Sequence, residues 1–176
     1  MSFGFDHTLE LSSIAINDTS RMLFFAAANN DGLNSPELFP ANHELVIPVR
    51  GTDYNGSFDA QYNPATPAYK PECRYGTLAV NVSCGGPDDN RLIKSGCSVA
   101  TPIVAAIAAA IISFVDRDRT LERFRPRIRR RPELKAVFRK MTEDQLVVER
   151  RYLAPWQLCN NRSLHTREII KHALAW

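Results

Sequence analysis

Gly96, Ser98, Ala100 and Pro102 stand at the entrance of the most apolar stretch of the chain, within KSGCSVATPIVAAIAAAI, residues 94–111. A serine hydroxyl there has acyl-transfer chemistry open to it. It needs a base to take its proton, a group to orient that base, and donors for the developing oxyanion. One of these comes with the position, because the serine's own N–H and the positive end of a helix dipole point where negative charge would form. Gly96 permits a sharp turn and the small Ala100 permits close packing. The same residues also suit a plain helix cap.

Positioning such a serine takes a helix behind it and strands that deliver its partners. The spacing predicts a helix from about Ser98 to Val115, with Pro102 in its first turn, where a missing N–H costs nothing. MLFFAAANN, residues 22–30, is a short apolar run ending in turn formers and suits a buried parallel strand. ELVIPVRG and GTLAVNVSC read as further strands, and Gly51 to Glu72 as a long surface loop. Helices are predicted over His7 to Ser20, over PELKAVFRKM and over the tail SLHTREIIKHALAW. Strands alternating with helices argue for an α/β fold with a parallel core.

Four segments then fall in a telling order. SGCSVATPIVAA resembles the Ser-Gly-Thr-Ser-Met-Ala-Thr-Pro-His-Val-Ala-Gly motif around the nucleophile of the subtilisin-like serine proteases. AAANNDG resembles that family's Ala-Ala-Ala-Gly-Asn-x-Gly turn. MSFG resembles its Met-Ser-Leu-Gly strand, and FPANHELVIPVRGTD the segment that follows the oxyanion turn. ELKAVFRKM and YLAPWQL are similar to the C-terminal extension of intracellular subtilases of filamentous fungi. The resemblance implies a three-layer parallel-sheet subtilisin-like fold, with Ser98 as nucleophile and the Asn30 amide with the Ser98 N–H as oxyanion hole. It further implies that Ser2, Phe3 and Gly4 pair with an extended peptide or protein substrate by β-augmentation. Ala27, Ala28 and Asn29 would wall the pocket for the side chain before the cleaved bond. It divides the chain into the C-terminal part of a catalytic domain (1–115), an Arg-rich linker (116–132) and a helical extension (133–176).

The resemblance also exposes a gap. The family's aspartate and histidine precede the Met-Ser-Leu-Gly strand, and no Asp-Ser/Thr-Gly or His-Gly-Thr occurs in these 176 residues. His7, His43, His165 and His172 are expected to be ordinary histidines rather than substitutes for the base. Cys97 replaces the usual threonine before the nucleophile and has no identified base either. The expectation is therefore a serine endopeptidase by family whose fold is incomplete and whose chain is inert alone, since loss of triad members costs about 10⁴–10⁶ in turnover. The alternative is a non-catalytic module that binds an extended peptide. An α/β-hydrolase elbow ranks last, because Ala100 stands where its second glycine belongs.

The bulk properties are those of a globular chain of 19.8 kDa, 44% hydrophobic and 23% charged. Its net charge of +3 hides an asymmetry: residues 1–110 carry −5 and the remainder +8. RDRTLERFRPRIRRRP, residues 117–132, holds eight arginines. It is expected to be a solvated helix end with Asp116, Asp118 and Glu122 in partial balance, in preference to a nucleic-acid site. Nothing at the N-terminus has the pattern of a signal peptide, and the run from Ala105 to Ile112 is short of a membrane span, so a cytoplasmic location without membrane partners is expected. No cofactor or metal is called for. Asp53, Asn55 and Asp59 suggest calcium only weakly, and turn chemistry explains them as well.

Overall fold

A computed structural model describes residues 22–32, 35–64, 74–85, 92–143, 145, 150–158 and 163–175. The expected substrate strand at Ser2, Phe3 and Gly4 and the helix expected over His7 to Ser20 lie outside the described residues. Four strands form a parallel sheet in the order β1 (Phe24–Ala27), β2 (Val46–Thr52), β3 (Arg74–Leu78) and β6 (Arg150–Tyr152). β4 (Val82–Cys84) and β5 (Leu92–Lys94) pair antiparallel as a separate ribbon. The helices are α1 (Cys97–Arg117), α2 (Arg125–Ile128), α3 (Arg131–Met141) and α4 (Ser163–Leu174).

Register explains how the core divides. Phe24 lies beside Val46 and Phe25 beside Ile47, so alternate residues of β1 and β2 project to opposite faces. Ile47 and Val49 join the large core with Tyr75, Val104, Ile111, Phe138 and Ile170, while Ala26 and Val46 join Phe39 and Ala41 in a small cluster on the other side. The described helices thus cover one face. The Phe39–Val46 segment closes the other, where the three-layer expectation would put a further helix.

β2 carries an unusual passenger. Arg50 is 2% exposed, and its guanidinium donates to Glu37 Oε1 at 2.6 Å and to the Pro64 carbonyl at 2.7 Å. A buried charge survives only if paired and hydrogen-bonded. This pair ties the loop at Glu37 and the loop at Pro64 to the middle of the sheet.

Several expected elements differ in extent. GTLAVNVSC breaks in two, because Asn81 takes a left-handed φ of 55° and its N–H is received by Ser95 Oγ. β5 and β6 carry too short a pattern to be read from periodicity. The segment expected to be an Arg-rich linker is folded: a 3-10 helix spans Arg119–Phe124 and α2 follows at once. Leu121, Phe124 and Ile128 are buried in the main core while the arginines stay outside. Charge counting hid this three- to four-residue apolar spacing. α1 starts at Cys97, so Pro102 is its sixth residue and lies in the second turn, where it denies an N–H to the Ser98 carbonyl. α1 is also longer and more apolar than the Ala105–Ile112 run suggested. At 21 residues and mean hydropathy 2.2 it is long and apolar enough to cross a membrane by length and composition. In this fold it packs on β1, β2 and β3.

Candidate active site

The mouth of α1 is assembled from two distant stretches. Gly96 enters the helix at φ 125° with no side-chain cap of its own. The cap comes from Asn30, at the end of β1, whose Oδ1 accepts the Cys97 N–H at 2.6 Å. An added Cβ on Gly96 would sit 2.8 Å from that oxygen, so only glycine leaves room for the asparagine. Val99 and Ala100 turn back to the Gly96 carbonyl. The first four N–H groups of a helix lack intrahelical partners. Here they are those of Gly96, Cys97, Ser98 and Val99. The Gly96 N–H donates to the Ala79 carbonyl at 2.8 Å, so three of the four are engaged, and the Ser98 N–H has no acceptor among the described residues.

Asn30 is itself held in place. Its N–H donates to Asn29 Oδ1 at 2.7 Å, and Asn29 Nδ2 donates to the Pro36 carbonyl at 3.1 Å. Because the Asn30 oxygen faces Cys97, its amide N–H₂ is left to serve another acceptor. The structure therefore brings Ser98 and Asn30 to one turn.

Ala27 and Ala28 are buried, with the Ala28 N–H bonded to the Val49 carbonyl. They back the turn. Half-buried Ser98 opens instead onto a cleft of about 430 Å³ lined by Leu23, Phe24, Phe25, Thr101, Pro102 and Ala105. Reading the run MLFFAAANN as uniform buried strand missed the phenylalanines as lining. Met22, 63% exposed, shows that the run starts in the open, which its apolar composition does not reveal.

No titratable group lines that cleft among the described residues. His43 is occupied elsewhere, its Nδ1 accepting the Leu45 N–H at 3.2 Å, and His172 lies on α4 beside Glu168. Cys97 is no rival nucleophile. Burial, the largest influence on it, pushes its thiol pKa up, so it stays protonated and donates to the Tyr62 carbonyl at 3.2 Å. Asn63, which went unremarked in the sequence, fixes this region: it exchanges hydrogen bonds with Gly51 N–H and C=O and lies against Cys97 Sγ. Asp53 and Asp59 spend their side-chain oxygens on the N–H groups of Asn55, Ser57 and Gln61, which is turn chemistry.

The chain thus joins a parallel sheet to a serine at the head of its apolar helix and an asparagine just past the adjoining strand. The chain is 32% identical over 108 residues to a thermostable alkaline protease of Halalkalibacterium halodurans, a match covering 60% of this chain and 27% of that protein. A mutant of the protease domain of PatA superposes with a TM-score of 0.68 at 17% identity, covering 98% of this chain and 58% of that one. The prenylagaramide maturation protease PagA gives 0.67 at 20% identity over 90% and 57%. No family model matches the chain. The sequence is thus similar to part of one alkaline protease, and the fold is that of these protease domains. It spans about a quarter of the length of the curated relative it matches.

Proposed function

We propose that this chain carries the nucleophile and oxyanion half of a serine endopeptidase site, acting on peptide or protein substrates in extended conformation. The observation that supports the reading best is the capping of the Ser98 helix by Asn30, whose oxygen accepts the Cys97 N–H next to the serine. The Ser98 N–H and the Asn30 amide N–H₂ meanwhile stay unengaged among the described residues. Donors held this way act on charge as it develops and are worth most where water is excluded.

In this reading Ser98 Oγ attacks the scissile carbonyl, and the Ser98 N–H with Asn30 Nδ2 holds the resulting oxyanion. Ala27, Ala28 and Asn29 shape the adjoining pocket from behind, and Ser2, Phe3 and Gly4 pair with the substrate backbone. The proton of Ser98 needs a base, and neither the Asp nor the His motif occurs in the 176 residues. We assign both to sequence beyond them, and these residues alone are then inert toward peptides. The cytoplasm is the proposed location.

The apolar cleft beside Ser98 gives the second reading its support. With no titratable lining among the described residues, it suits holding an extended chain without cutting it.

Mapping the transcript upstream of Met1 separates the two. An open frame supplying both motifs, with hydrolysis of a protein substrate that Ser98→Ala abolishes, is the expected result. A message that starts at Met1, together with no labelling of Ser98 by a fluorophosphonate, overturns the protease reading and leaves peptide binding.

A further inference from the structure

The end of α1 opposite Ser98 forms a second concavity. It is an open cleft of about 790 Å³, lined by Phe114, Arg117, Arg119, Thr120 and the Asp118–Arg167 pair among others. Its charge balance follows from the pairs around it. Arg167 on α4 donates to Asp118 Oδ2, and Asp118 Oδ1 accepts from both the N–H and the hydroxyl of Thr120. Asp116 is taken by Arg129 at 2.6 Å and Glu122 by Arg125 at 3.2 Å. All three acids of the 116–122 segment are therefore engaged. Arg117 and Arg119 have no ion-pair partner among the described residues, so three arginines face one carboxylate in the cleft.

We propose that this cleft binds a phosphate monoester carried on an apolar or aromatic group. Two guanidinium groups presented together match the oxygens of a phosphate bidentately, which a lysine would not do. Phe114 and Ala110 offer apolar surface for the carrier, and the volume falls within the range of small-molecule sites. A nucleic-acid stripe fits less well. Along the same segment Arg125 and Arg129 are spent on Glu122 and Asp116, Arg127 donates to the Leu174 carbonyl, and Arg123 lies over the Phe124 ring at 4.6 Å. The basic run is broken, and its unspent charge at this end collects in the cleft.

Titration calorimetry on the whole chain tests this with phenyl phosphate, inorganic phosphate and a single-stranded RNA as probes. Saturable phenyl phosphate binding, tighter than inorganic phosphate, is expected. The Arg117→Ala/Arg119→Ala double variant should weaken it by about tenfold or more. Both positions are exposed, so the circular dichroism spectrum should stay unchanged. Arg130→Ala, an exposed control outside the cleft, should shift binding by less than about twofold. Equal losses in control and double variant, or no saturable binding at about 0.1 M salt, overturn the proposal. RNA binding that Arg123→Ala and Arg130→Ala weaken as much as the double variant overturns it in favour of a surface polyanion.

Discussion

Asn30 and Gly96 share one small volume, and their two roles can be pulled apart by substitution. Asn30→Ala removes the acceptor for the Cys97 N–H and should cost about 1 kcal/mol, as for other lost helix caps. Asn30→Asp keeps that acceptor and adds a negative charge at the positive end of α1, so its melting temperature should equal or exceed that of the native chain. It lacks the amide N–H₂, however. In a protein with a complete triad it should lose about 10²–10³ in turnover, the loss that follows removal of one oxyanion donor from a subtilisin. Gly96→Ala should be the worst of the three for stability. Its backbone lies in a region nearly closed to other residues, and its Cβ meets the Asn30 amide, for about 1–3 kcal/mol. Thermal melts of the three variants decide the order. Melting of Asn30→Asp as low as that of Asn30→Ala would show that the oxygen is not what holds the helix mouth.

At the scale of elements, α4 is held to the end of α1 through Arg167 and Asp118. Hydrogen bonds from Arg167 and then Thr120 hold the Asp118 carboxyl down to about 2, below its ordinary 3.8. The folded-state pKa is thus depressed. Its stabilisation is fully present above the ordinary value and is lost as pH falls from about 4 through 2. Asp118→Asn should lower stability at neutral pH and flatten that acid limb. Arg167→Ala should do the same, and the double variant should add little, since both remove one interaction. Denaturant midpoints at pH 7 and pH 2.5 measure it, and an unchanged acid limb in Asp118→Asn would refute the assignment. This junction was hard to read in the sequence because charge density masked Leu121, Phe124 and Ile128, which carry its packing. By contrast α1, α3, α4, β1 and β2 stood out, since each has an apolar run or a helical period long enough to count. β6 is legible only as a partner of β3, a contact between residues more than seventy positions apart. In the site, Gly96, Ser98 and Asn30 were visible as motif residues, whereas the capping of Cys97 by Asn30 depends on three-dimensional proximity that spacing does not encode.

For the whole molecule, the decisive feature is how much apolar surface the helix carrying Ser98 leaves outside. Pro102, Ala106, Ala109 and Ala110 are exposed on α1, and only 39% of its most apolar window is buried. Beside it β1 is an edge strand among the described residues, preceded by exposed Met22 and flanking the cleft with Phe24 and Phe25. Open strand edges and continuous apolar faces favour association between copies. The chain in isolation should therefore self-associate with rising concentration, as read by sedimentation velocity. Ala106→Glu with Ala109→Glu places two charges on the exposed stripe without lowering helix propensity much. That pair should shift the population toward monomer and leave the circular dichroism spectrum unchanged. Ala108→Glu, one position away but facing the core at 2% exposure, should instead unfold the chain, because it buries a charge with no partner. A native chain that stays monomeric across the concentration range would mean that this face is too small or too curved to drive association.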